Sequence, residues 1–150
     1  MKSDTILLEN KKAKMRYSIL ETFSAGMELS GGETKALRNK LGSLDGSRVV
    51  IRGGEAYLVG MTIPPYQGRI RESYDAERPR RLLLKKGEIF ELSEAESKKG
   101  LTSVPLEVYN NRYIKVRIAT VRGKSKTDRR EELKKKDAHQ EMSRILKRRV

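Results

Sequence analysis

Three kinds of chemistry lie within reach of short runs in this chain, and each fails on its spacing. Gly123-Lys124-Ser125 ends as a phosphate-cradling P-loop ends. That loop needs a glycine five residues before Gly123 so that backbone amides can wrap the phosphates, and position 118 is Ile118. Gly123 reads instead as the end of a strand. The carboxylate pairs Glu94 and Glu96, Glu131 and Glu132, and Asp75 and Glu77 are the right type for metal-assisted hydrolysis. They stand among polar neighbours, without the apolar support that holds carboxylates around a magnesium ion, and a solvated charged face is their plain reading. His139, beside Gln140 and close to Lys136 and Asp137, reads as an exposed imidazole rather than a general base. With one histidine and no cysteine, the chain lacks the material for a thiol nucleophile, a disulfide frame or a zinc site. No reaction, cofactor or metal is assigned.

Charge is the stronger signal. Arg122 to Val150 holds 12 of the 34 Lys and Arg but 5 of the 20 Asp and Glu, so this segment carries +7 of the chain's +14. Such a segment repels itself when alone and gains by lying along a polyanion, from which it releases condensed counterions. Nucleic acid is the expected partner. The apolar residues sit mostly before position 122, which suits one domain over residues 1–122 followed by a basic tail over 123–150. Ile6-Leu7-Leu8 runs straight into Glu9, with no apolar stretch of signal-peptide or membrane length. A cytoplasmic monomer that does not enter a membrane is expected.

The elements that must position any binding residues are mostly strands. Tyr17, Ile19 and Phe23 share a parity, and runs around Val108-Tyr109 and from Tyr113 to Ile118 are similarly extended. Arg48 to Arg52, then Gly53-Gly54, then Glu55 to Ile63 predict a hairpin whose turn uses the positive φ that glycine adopts without steric cost. Pro64-Pro65 closes it. Pro105 cannot donate to a ladder, which predicts an edge or a bulge there. Two stretches predict helices: Glu33 to Lys40, and Lys86 to Lys99, where Ile89, Leu92 and Ala95 recur before Gly100. Short strands interrupted by two helices predict a mainly β fold, a small antiparallel barrel of the OB type.

Basic clusters matter most where a strand fixes them in space. Arg78-Pro79-Arg80-Arg81 runs into Leu82-Leu83-Leu84, and Lys11-Lys12-Ala13-Lys14 precedes an extended run. Each reads equally as a soluble loop whose charges keep a hydrophobic strand from aggregating. The large positive charge of the whole chain favours phosphate contact, which needs little beyond proximity.

An ordered set of motifs resembles the small protein B family, the SsrA-binding proteins of bacterial trans-translation. It runs from Asn10-Lys11-Lys12-Ala13 through Gly31, Glu33, Lys35 and Arg38, then Gly54-Glu55-Ala56-Tyr57-Leu58 and Ile63-Pro64-Pro65-Tyr66. Asp75, Arg78, Arg80 and Leu82-Leu83-Leu84 follow, then Glu88-Ile89, Val104-Pro105-Leu106, Tyr109, Lys115-Val116, Gly123-Lys124, Asp128 and Arg130.

The resemblance implies an adaptor that binds the tRNA-like domain of transfer-messenger RNA (SsrA RNA) and carries it to stalled ribosomes. It implies RNA contact from Asn10, Lys11, Glu33, Lys35, Arg38, Arg80, Arg81, Leu83 and Lys124. It also places Asp128, Arg129, Arg130 and Lys134 at the small-subunit decoding centre, and Ile145 and Leu146 in the empty mRNA channel. Elongation factor Tu and alanyl-tRNA synthetase would be met only through the shared RNA. Asp128 with Glu131 has capping-box spacing. The stripe Leu133, Ala138, Met142, Ile145 and Leu146 is too thin to order the tail alone, so disorder when free and helix on the ribosome are expected. Against the family pattern, Ser24 stands where a glutamate is usual, Ser125 replaces a lysine and Thr127 an aromatic ring. Gly32, Ala76 and Arg129 also depart from it. A generic RNA binder of OB type and a metal-dependent nuclease are the alternatives. The first would show no preference for this RNA, and the second would cleave RNA until a chelator was added.

Overall fold

The computed structural model describes residues 4–66 and 74–123. Seven strands and three helices follow one another: β1 (Thr5–Glu9), α1 (Lys11–Arg16), β2 (Tyr17–Met27), α2 (Gly31–Arg38), β3 (Arg48–Arg52), β4 (Glu55–Val59), β5 (Arg80–Leu83), α3 (Lys86–Lys99), β6 (Thr102–Asn110) and β7 (Ile114–Gly123). The expected tail from Lys124 onward lies outside the described residues. Among those residues, no helix is long and apolar enough to cross a membrane.

The strands form one antiparallel sheet in the order β1-β6-β7-β2-β5-β4-β3. Its two end strands, β1 and β3, share no ladder, so the expected closed barrel is corrected to an open sheet. The sheet nevertheless curls, because β3 returns to lie against β6. Helices flank the end strands instead of a closing ladder: α2 lies against β1 and α3 against β3.

The β3–β4 hairpin forms where the glycine pair required it, with Gly53 and Gly54 at φ 57° and 76°. That double left-handed turn matches the right-handed twist of its strands. Pro105 sits in β6 where that strand pairs with β7 alone, since the ladder with β1 covers only Glu107 to Asn110, and a register shift lies between Pro105 and Glu107. Pro105 thus sits at a bulge and on a locally unpaired side of its strand, as a residue without an amide donor requires.

The bulge has a packing consequence. Along β7, Ile114, Val116 and Ile118 enter the main core, while Ala119 and Val121 join a smaller apolar cluster with Ala13 of α1. Val108 points into the main core, but on the other side of the bulge Val104 and Leu106 belong to the α1 cluster. One extra residue in β6 thus turns its first half outward, where α1 covers it.

Helix α3 spans the predicted residues and buries Ile89, Leu92 and Ala95. The larger of these side chains contribute about 1.5–3 kcal/mol each by leaving water. Helix α2 starts two residues before the predicted helix and ends two before it. Helix α1 was not predicted: only Ala13 of its six residues is buried, so no apolar stripe marks it.

Candidate nucleic-acid interface

The residues singled out from sequence fall into three places. Two of them, Arg81 and Leu83, lie on the outward face of the sheet. β5 alternates buried and exposed, so Arg80 and Leu82 point inward while Arg81 and Leu83 point to water, Leu83 with 51 % of its surface exposed. Gly26 of β2 pairs with Leu83 on one side and Lys115 of β7 on the other, and Ser24 pairs with Arg117. Across β4, Tyr57 stands opposite Arg81. A shallow cleft of about 430 Å³ results, lined among others by Gly26, Arg81, Leu83, Lys85 and Lys115. Its floor is low because Gly26 has no side chain.

The charges on this face differ in availability. The Arg81 guanidinium is held 3.1 Å from Glu55 and 3.6 Å from Glu28. Arg117 pairs with Glu107 and lies 4.7 Å above the centre of the Tyr109 ring. Lys115 has no carboxylate in ion-pair range among the described residues. A phosphate therefore meets Lys115 without breaking an existing pair, whereas Arg81 must share its charge. Ser24 is hydrogen-bonded to the Tyr109 hydroxyl, so its oxygen is already engaged within the protein.

The second place is α1, which packs on the same outward side of β6 and β7. Asn10 is buried and caps α1: its Oδ1 accepts from the Ala13 amide at 3.2 Å, and its Nδ2 donates to the Pro105 carbonyl at 2.9 Å. Both polar groups of its amide are thus used by the protein, tying α1 to the bulge. Lys11 beside it is exposed and has no carboxylate in ion-pair range among the described residues.

The third place lies behind the sheet. Glu33 and Arg80 are both buried, 1 % and 0 % exposed, and face one another. Arg80 donates to Glu33 Oε2 at 2.9 Å, to the Met61 carbonyl at 2.7 Å and to the Ala76 carbonyl at 2.9 Å. Arg78 donates to the other Glu33 oxygen. Glu33 also closes a capping box at the start of α2, accepting from the Ser30 amide at 2.9 Å while Ser30 Oγ accepts from the Glu33 amide at 3.2 Å. The polar atoms of Arg80, Glu33 and Asn10 are enclosed and already partnered within the protein. Lys35 and Arg38 stand exposed on α2 itself. Ser30-x-x-Glu33 was a sequence signal for the capping role; the link from Glu33 to Arg80 was not, being 47 residues away.

Burial alone would raise the Glu33 carboxyl, but the Ser30 amide and the Arg78 and Arg80 guanidinium groups outweigh it and hold it below its ordinary 4.5. A carboxyl more acidic in the folded than in the unfolded chain adds stability that is complete above its ordinary value. That stability is lost as pH falls through the folded value. The thermal midpoint should therefore fall on acidification from about pH 6 to about pH 3, and Glu33→Gln should flatten that decline while lowering stability at neutral pH. An unchanged acid limb in Glu33→Gln would remove Glu33 from this role.

Residues missed from sequence are Lys115 and Arg117, whose outward alternation was visible but whose neighbours were not. Lys124, Asp128, Arg129, Arg130, Lys134, Ile145 and Leu146 lie outside the described residues.

Comparison with known proteins bears on this geometry. A family model described as SmpB protein matches residues 7–148. The chain is 42 % identical over 145 residues to the SsrA-binding protein of Thermosipho africanus, with 95 % of this chain and 97 % of that one covered. It is 45 % identical over 150 residues to the SsrA-binding protein of Aquifex aeolicus, covering 97 % and 96 %. A chain of a solved structure described as "tmRNA-SmpB: a journey to the center of the bacterial ribosome" is similar with a TM-score of 0.66. It is 40 % identical, with 84 % of this chain and 93 % of that chain covered.

Proposed function

The chain belongs to the SmpB family of SsrA-binding proteins, and from that membership we propose that it binds SsrA RNA and serves, with that RNA, in the rescue of stalled bacterial ribosomes. The observation that carries this reading is the family match over nearly the whole chain, residues 7–148, in a protein of net charge +14. It acts as an adaptor and carries no reaction of its own.

The folded body, with Lys124 at the start of the tail, holds the tRNA-like domain of the RNA, and the rest of the tail works on the ribosome. Lys11, Lys35, Arg38, Arg81, Leu83 and Lys124 meet the RNA, while Asn10, Glu33 and Arg80 hold the elements that present them. Structured RNA is gripped mainly by shape and phosphate contact, which suits exposed cations on a rigid sheet rather than base-edge readout. We read the curled sheet as OB-type in arrangement, with its two ends brought together by packing instead of by a ladder. In the tail, Asp128, Arg129, Arg130 and Lys134 meet the decoding centre, and Ile145 and Leu146 follow the mRNA channel. Elongation factor Tu and alanyl-tRNA synthetase meet the protein through the RNA, in the cytoplasm.

The division among these residues is testable through salt. Each phosphate neutralised steepens the fall of affinity with salt by a little under one logarithmic unit per unit. Arg81→Ala should weaken binding of the RNA and flatten that slope by about one phosphate, with the thermal midpoint nearly unchanged because its ion pairs are exposed. An unchanged slope would take Arg81 out of the interface.

A further inference from the structure

We propose that Tyr113, at the tip of the β6–β7 hairpin, is a stacking platform for an unpaired base of the bound RNA; the proposal rests on the RNA-binding reading above. β6 ends at Asn110, which pairs with Ile114, so Asn111, Arg112 and Tyr113 form the turn. Ile114 is 7 % exposed and enters the main core. Its neighbour Tyr113 is 65 % exposed and precedes Lys115 and Arg117, which stand on the outward side.

A single exposed apolar residue usually needs no explanation. Tyr113 differs through its surroundings. It stands two residues from Lys115, which lines the cleft beside Leu83 and Gly26. The Arg112 guanidinium lies 6.0 Å from the centre of its ring. Neither Arg112 nor Lys115 has a carboxylate in ion-pair range among the described residues. Both cations are therefore available to phosphates on either side of a base laid on the ring.

The other tyrosine of this hairpin shows what an occupied ring looks like. Tyr109 is 4 % exposed, its ring is covered by Arg117 at 4.7 Å, and its hydroxyl is bonded to Ser24. Tyr109 is thus built into the sheet, whereas the Tyr113 ring is largely exposed, with the Arg112 guanidinium over it at the longer distance of 6.0 Å. Cations along such a face attract the backbone of any RNA, and an aromatic ring adds a flat apolar surface on which any base can stack.

The test uses the full chain and the tRNA-like domain of SsrA RNA, with affinity measured across a range of salt. Tyr113→Leu should weaken binding about 5- to 100-fold with the salt slope unchanged, since a stack is lost and no phosphate contact is. Tyr113→Phe, which keeps the ring, should bind as the parent does, and both variants should keep the parent's thermal midpoint because the side chain is exposed. Irradiation should also join the RNA to the peptide containing Tyr113. Parental affinity in Tyr113→Leu, or an equal loss in Tyr113→Phe, would overturn the stack while leaving the RNA-binding reading intact. Failure of the parent itself to bind this RNA would overturn both.

Discussion

Arg80→Ala should lower the stability of the folded chain by about 3–5 kcal/mol, enough to abolish a large part of what holds a domain of this size together. The size of the effect follows from what remains. Glu33 would stay buried with Arg78 as its one guanidinium partner, and the Met61 and Ala76 carbonyls would each lose a charged donor. Lysine is a poor replacement, because a single ammonium cannot reproduce a planar fork that reaches three acceptors in three directions. Removing both charges with Arg80→Met and Glu33→Met should cost less than the two single changes summed, since neither charge is then stranded. Urea unfolding of the four proteins would read this coupling. RNA affinity should follow the folded fraction in all of them. A stable Arg80→Ala protein with a selective loss of RNA affinity would instead make Arg80 a contact residue and contradict its enclosed place.

The second large effect concerns the tail. A chain ending at Lys124 should bind isolated SsrA RNA as the full chain does and should fail in ribosome rescue down to background. The described body already carries the exposed cations on α1, α2 and the outward sheet face, and Lys124 is kept. The residues removed include Asp128, Arg129, Arg130, Lys134, Ile145 and Leu146, which we assign to the decoding centre and mRNA channel. A rescue reaction on ribosomes stalled at the end of a message lacking a stop codon would show the difference. Rescue at the full rate without the tail would contradict that assignment, and loss of RNA binding on truncation would contradict the division between body and tail.

Local signals were legible in the sequence, and non-local ones were not. Gly53-Gly54 demanded a left-handed turn whatever surrounded it, and the spacing of Ile89, Leu92 and Ala95 before Gly100 required a helix that stops there. The bulge at Pro105 followed from a missing donor. Helix α1 escaped because its run Lys11-Lys12-Ala13-Lys14 reads as charge, and its one clear marker was the cap at Asn10. The open ladder escaped as well, since closure depends on twist and on which helices reach the end strands.

The candidate site divides in the same way. Family resemblance supplied Asn10, Glu33 and Arg80 as RNA contacts, whereas their burial and their partners within the protein are visible only in the fold. Arg80, between Pro79 and the leucines that follow Arg81, looks surface-exposed until the inward parity of β5 is known. Lys115 and Arg117 became neighbours of Arg81 and Leu83 only through the pairing of β2 with both β5 and β7, a register that no single strand contains.

The most direct measurement is equilibrium binding of the full chain to the tRNA-like domain of SsrA RNA at physiological salt, with ordinary tRNA as competitor in equal excess. A strong preference for the SsrA domain that survives the competitor is the expected result. Equal affinity for both RNAs would contradict the adaptor reading and leave a basic protein that binds structured RNA without choosing among its forms.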